Sequence, residues 1–253
     1  CSSDLITPVR SSGSRNPVFF AHGVSGNVFK YYALGRLLNE DIPVYGLQAK
    51  GLNGVDKPFY SIPEMADYHI NEILKIQPTG PYYIGGGSFG GYLAYEIARQ
   101  LKSKGKEVAF VGLFDLEAAT KTAMLNPMQK TISDFRFKSQ RLTSRFKSLV
   151  NQSPTESFKY IKNKISNRTI LNERQQLDEM LKKQVLEDEY GHESASYFNE
   201  VEEACYIAMK NYRLEPYDGH VVLFRAINGF YSIEYDHDLG WGFFAKGGCD
   251  VIE

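Results

Sequence analysis

The sequence predicts an α/β protein whose parallel sheet is covered by helices on both faces. Three observations carry this reading. Short apolar runs (Pro17–Ala21, Pro43–Leu47, Tyr82–Ile84, Val108–Phe114) alternate with stretches of helical periodicity through the first half of the chain. The loops between them are short. One run, Tyr82-Tyr83-Ile84, breaks into Gly85-Gly86-Gly87-Ser88-Phe89-Gly90-Gly91 and then into a helical pattern at Leu93, Ala94, Ile97, Ala98 and Leu101.

The elements follow in order. Residues 1–16 are polar and Ser-rich and read as a linker-like segment, with a short strand at Leu5–Val9. Pro17–Ala21 is a buried strand leading into the loop His22-Gly23-Val24-Ser25-Gly26. A helix follows with Phe29, Tyr32, Ala33, Leu37 and Leu38 on its apolar face. After the strand Pro43–Leu47, Ser61-x-x-Glu64 is a capping box that opens a helix through Ile76, with Pro63 in its first turn. From about Glu117 to Glu200 no strand pattern appears. Residues 121–174 hold 12 Lys/Arg against 3 Asp/Glu, and residues 175–203 hold 2 against 9. This stretch reads as a helical insertion, with either a solvated face or a basic half that receives an acidic partner protein. A helix at Val201–Tyr212 and strands at His220–Arg225 and Cys249–Ile252 complete the core. The expected division is core 17–116, lid insertion 117–200 and core 201–253.

Composition excludes several function classes. At 253 residues, with 43% hydrophobic and 23% charged residues, the chain matches one ordinary globular core plus an insertion. A formal charge of −1 argues against nucleic acid as a partner. Three cysteines are too few for a disulfide framework or a zinc site. No apolar run approaches the ~20 residues of a membrane span, and no signal peptide is visible. The expected setting is the cytoplasm. Because the sequence starts at Cys1 rather than Met, we expect a piece of a longer polypeptide.

The chemistry centres on Ser88. Gly86-x-Ser88-x-Gly90 has the spacing of a nucleophile elbow, in which a sharp strand-to-helix turn leaves no room for a Cβ two residues either side of the serine. Two rivals share the same residues: a glycine-rich turn without chemistry, and a dinucleotide fingerprint at Gly85-x-Gly87-x-x-Gly90, followed by an acid, Asp115, after the next strand. The loop at His22–Gly26 separates them. It opens a helix at the same sheet edge as Ser88, where a hydrolase needs an oxyanion hole, whereas a dinucleotide site leaves it unexplained. The two strands preceding the glycines also displace the fingerprint from its usual place. A serine hydrolase is favoured.

The chain further resembles the thioesterase domains that terminate polyketide and nonribosomal peptide synthases. The markers are Gly85–Gly91 with Ala94-Tyr95-Glu96-Ile97-Ala98, Val111-Gly112-Leu113-Phe114-Asp115, Asn211-Tyr212-Arg213-Leu214-Glu215-Pro216-Tyr217 and Leu239-Gly240-Trp241-Gly242. The resemblance implies an α/β-hydrolase fold with a helical lid inserted after the strand that carries the acid. It implies Ser88 as the nucleophile taking an acyl chain from a carrier protein's phosphopantetheine thioester, and Asp115 as the acid. The backbone amides of Val24 and Phe89 would form the oxyanion hole. No cofactor bound by the domain itself is implied. Gly87 departs from the histidine or tyrosine of many relatives. The family's histidine follows the last strand, which here is Cys249–Ile252, so the expected base lies beyond Glu253. Of the five histidines present, His237 is the one with a route to the site; His22, His69, His192 and His220 read as structural. A domain of this kind without its base would be an acyl-binding or scaffold module, the alternative from another class.

Overall fold

The structure is a computed structural model that describes residues 5–118, 197–226 and 237–253. The chain divides into two compact units, Cys1–Ala119 with Ser196–Glu253 and Thr120–Ala195. Residues 119–196 of the expected lid, His192 among them, lie outside the described residues.

The first unit is built on a seven-stranded sheet. Its strands are β1 (Ile6–Arg10), β2 (Val18–Ala21), β3 (Val44–Leu47), β4 (Tyr82–Gly87), β5 (Val108–Phe114), β6 (Val221–Phe224) and β7 (Cys249–Ile252). In space they run β1-β3-β2-β4-β5-β6-β7, all parallel except β1. Helices α1 (Lys30–Leu37), α2 (Ile62–Ile76), α3 (Phe89–Ser103), α4 (197–211) and the single turn α5 (Trp241–Phe244) join them. The central strands read as continuous apolar runs because both faces are covered. Phe19, Ile84, Val111 and Leu223 are buried with α2 and α3 residues Ile70, Ile73, Leu93 and Ile97 in one core.

Three expectations need correction. The N-terminal segment is an edge strand more than a linker: β1 pairs antiparallel with β3, and the Arg10 guanidinium donates to the carbonyls of Gly35, Asn39 and Ile42. The face of α1 is also different. Phe29, Tyr32, Ala33 and Leu37 are exposed, while Tyr31 and Gly35 are buried. Gly35 decides this, since a Cβ there would come within 2.7 Å of Val9 on β1. Finally, α2 starts at Ser61, but no side-chain cap bond forms, and the Ser61 carbonyl instead accepts the Met65 N–H at 3.0 Å.

Two sequence markers turn out to be one structural joint. Glu96 on α3, 1% exposed, accepts hydrogen bonds from Arg99, Gln100 and the Tyr212 hydroxyl at 2.8–2.9 Å. Arg99 also pairs with Glu215 at 2.8 Å, and the Tyr95 hydroxyl donates to the Glu215 carbonyl. A buried carboxylate is tolerated only with such partners. The segment after α4 is thereby clamped to the helix that begins at Ser88.

Candidate active site

β4 and β5 run in register to their ends, with Gly87 opposite Phe114. Ser88 and Asp115 are therefore the first residues past the sheet on adjacent parallel strands. Both carry left-handed backbones, φ 55° and 46°, which non-glycine residues adopt only under constraint. The constraint at Ser88 is the turn itself. A Cβ on Gly86 would overlap the Gly90 carbonyl, and a Cβ on Gly90 would overlap the Ala21 carbonyl on β2. The corner closes because both positions are glycine, and it leaves Ser88 exposed ahead of the first turn of α3.

Asp115 is seated by its neighbours. Its N–H donates to the Phe224 carbonyl at 2.7 Å, and its carboxylate accepts the Ala226 N–H at 3.2 Å. The residues that follow are held one by one. The buried Trp241 indole donates to the Leu116 carbonyl at 2.6 Å, the Tyr92 hydroxyl to that of Glu117 at 2.8 Å, and the Ala118 N–H to that of Leu239 at 3.0 Å. This is the work of the Leu239-Gly240-Trp241-Gly242 marker: it fixes the exit of the strand that presents the acid.

The loop His22–Gly26 lies beside the elbow. Its start is fixed by the His22 N–H donating to the Leu47 carbonyl at 3.0 Å. The His22 ring stacks on Phe89 with centroids 5.6 Å apart, and its Nδ1 lies 2.7 Å from the Gly23 carbonyl. Among the described residues, neither the Val24 nor the Phe89 N–H donates to another backbone group. Phe89 directly follows Ser88, and Val24 lies two residues beyond His22, whose ring packs on Phe89. An open groove of about 440 Å³ borders this loop, lined in part by Asn27, Phe29, Leu52 and Phe198.

Two residues that sequence reasoning missed tie loop and elbow together. The Tyr31 hydroxyl donates to the Ala21 carbonyl at 2.7 Å and accepts the Gly87 N–H at 3.2 Å, bridging the ends of β2 and β4. The Lys30 ammonium donates to the Gly87 carbonyl at 3.3 Å. A signal was present, in the two polar-tipped side chains directly after the loop, but the wrong helix face had been chosen.

The histidines are distributed as follows. His22 and His69 are both buried, edge to face at 5.7 Å, each with one ring nitrogen unpartnered. Burial drives their pKa down, to about 4 for His22 and about 3 for His69. His220 precedes β6 at the amino edge of the sheet, with Nε2 3.3 Å from Asp250. His237 lies at the carboxyl edge, its carbonyl accepting from Arg225 at 3.3 Å. No described imidazole hydrogen-bonds Ser88 or Asp115.

A parallel sheet with a serine at a glycine-walled strand–helix corner, and an acid at the end of the next strand, defines an α/β-hydrolase. The chain belongs to the thioesterase domain family, which it matches over residues 16–190. It is 40% identical to malpinin synthetase of Mortierella alpina over 121 residues, 48% of this chain and 2% of that protein. The matched stretch spans 2% and 12% of the length of the two curated relatives compared, malpinin synthetase and the atromentin synthetase of Tapinella panuoides. Among solved structures, a four-domain nonribosomal peptide synthetase bound to AMP and glycine superposes with a TM-score of 0.66 at 24% identity, covering 98% of this chain and 18% of that one. The Vlm2 thioesterase domain superposes with a TM-score of 0.61 at 17% identity, covering 99% and 88%. Among the described residues, no helix is long and apolar enough to cross a membrane.

Proposed function

We propose that the domain is a serine thioesterase that releases an acyl, polyketide or peptidyl chain from a phosphopantetheinyl carrier protein, working in the cytoplasm. The observation that carries this is the paired departure of Ser88 and Asp115 from adjacent strands, beside the loop that starts at His22. Membership of the thioesterase family supports the reaction class. The carrier as partner is supported by relatives that are themselves synthetases.

In this reading the Ser88 oxygen attacks the thioester carbon and the carbonyl electrons move to oxygen. The Val24 and Phe89 N–H groups then hold the oxyanion; one such donor is typically worth ~10²–10³ in turnover. Collapse breaks the carbon–sulfur bond, and the pantetheine sulfur leaves as the thiol. The serine proton passes to an imidazole that Asp115 orients. Water or an internal nucleophile then releases the chain by hydrolysis or cyclisation. The domain itself holds no cofactor in this scheme; phosphopantetheine arrives on the substrate.

The second reading is an acyl-binding module that turns over slowly if at all. His237, at the carboxyl edge of the sheet, is the described candidate for the base. The carboxyl end of β7, where the Ile252 carbonyl accepts the Arg225 N–H at 2.8 Å, opens beside the same edge. Hydrolysis of an acyl-pantetheine thioester, measured with and without added imidazole and with His237→Ala, separates these readings. A missing base predicts slow turnover that imidazole accelerates. Full activity that His237→Ala abolishes assigns the base to His237. No turnover under any condition, with thioester still bound, leaves the binding module.

A further inference from the structure

The Lys30 ammonium borders the positions that side chains at residues 23 and 87 would take. A Cβ on Gly87 would stand 3.7 Å from its ammonium, and a Cβ on Gly23 would stand 3.3 Å from it. The ammonium thus sits between the residue before Val24 and the residue before Ser88, donating to the Gly87 carbonyl at 3.3 Å and lying 4.9 Å from the Tyr31 ring centroid. No carboxylate pairs with it among the described residues. It is also the first residue of α1, at the positive end of a helix whose first turn holds no acid. The residue is exposed at the surface, with partial burial against the elbow lowering its pKa. In the resting fold its partners are the Gly87 carbonyl and the Tyr31 ring, which leaves the positive charge able to act when negative charge arises at the elbow.

Resting on the serine reading above, we infer that Lys30 is a positioning residue for acyl transfer: it pins the oxyanion loop to the nucleophile elbow and places a positive charge beside the developing oxyanion. The glycine at 87 is the complementary half of the arrangement, since a longer side chain there would compete with the ammonium for the same corner. Lys30 need not touch substrate. It acts through the Gly87–Ser88 peptide, whose carbonyl accepts its hydrogen bond, and through its field on the neighbouring Gly23–Val24 peptide.

The test is the rate at which a neutral fluorophosphonate labels Ser88, with imidazole at one fixed concentration, in the wild type, Lys30→Met, Lys30→Gln and Lys30→Arg. In labelling, the serine oxygen bonds phosphorus, fluoride leaves, and the serine proton passes to the imidazole. We expect Lys30→Met and Lys30→Gln to label roughly 10-fold slower at saturating probe, the half-saturating concentration unchanged. Lys30→Arg should return to within about 3-fold of wild type. Thermal melting verifies that each variant is folded, and two neutral variants guard against one failing. Wild-type labelling with neutral variants equally fast would overturn the inference and leave the serine reading intact. So would a Lys30→Arg as slow as Lys30→Met. A wild type that never labels at Ser88 overturns the serine reading, and the role of Lys30 with it.

Discussion

Ser88 and Asp115 sit one residue beyond a register pair, Gly87 opposite Phe114, and both leave the sheet with positive φ. Two strained residues side by side at the carboxyl edge of a parallel sheet mark the place where open α/β folds put their chemistry.

Relief of that strain makes the first prediction. Ser88→Gly removes the Cβ at φ 55° and should stabilise the fold by about 1 kcal/mol, while removing all acylation. Denaturant midpoints measure the first and intact mass the second. A Ser88→Gly protein less stable than wild type would mean that the serine is held by structural bonds instead.

The joint between α3 and the segment after α4 makes the second. Arg99→Met would leave Glu96 buried with its charge uncompensated, costing about 3–5 kcal/mol. Tyr212→Phe removes one bond to a charged acceptor and should cost about 1.5–3 kcal/mol. The double variant should lose less than the sum, because both act on one carboxylate. Strict additivity in urea unfolding would contradict a shared network.

Acid sensitivity makes the third. His22 and His69 are neutral in the fold and hold pKa values of about 4 and about 3, against about 6.5 when unfolded. Below pH 6.5 the unfolded chain binds more protons, so their contribution is complete above that value and is lost as pH falls towards 4 and 3. Each imidazole adds a slope of about 1.4 kcal/mol per pH unit within its window. His69→Leu should remove roughly half of the combined slope between pH 6 and pH 4.5, read from urea midpoints. An unchanged slope would place the acid sensitivity elsewhere.

Much of this was legible before any coordinates. Val108–Phe114 and Cys249–Ile252 are bounded to the residue by their β-branched and apolar positions and the polar residues that flank them. The Ser88 corner was legible because only glycines permit it. The position of Asp115, just past the end of the next strand, was legible from the boundary of that strand. What escaped depends on contacts far apart in sequence. Lys30 and Tyr31 meet Gly87 across more than fifty positions, and no local pattern announces that. Helix α1 was misread because its buried face turns on a glycine, Gly35, that apolar periodicity does not count. The Ser61–Glu64 spacing matched a capping box, yet the side-chain bonds are not formed. The roles of Tyr212 and Trp241, as partners of Glu96 and of the Leu116 carbonyl, became readable once the fold brought the markers together.

The central claim is that Ser88 carries the acyl chain. Incubation with an acyl-pantetheine thioester in the presence of imidazole, followed by intact mass and peptide mapping, tests it directly. The account predicts one acyl adduct, on Ser88, absent from a folded Ser88→Ala protein. An adduct on another residue, or one that persists at the same rate in Ser88→Ala, would contradict it.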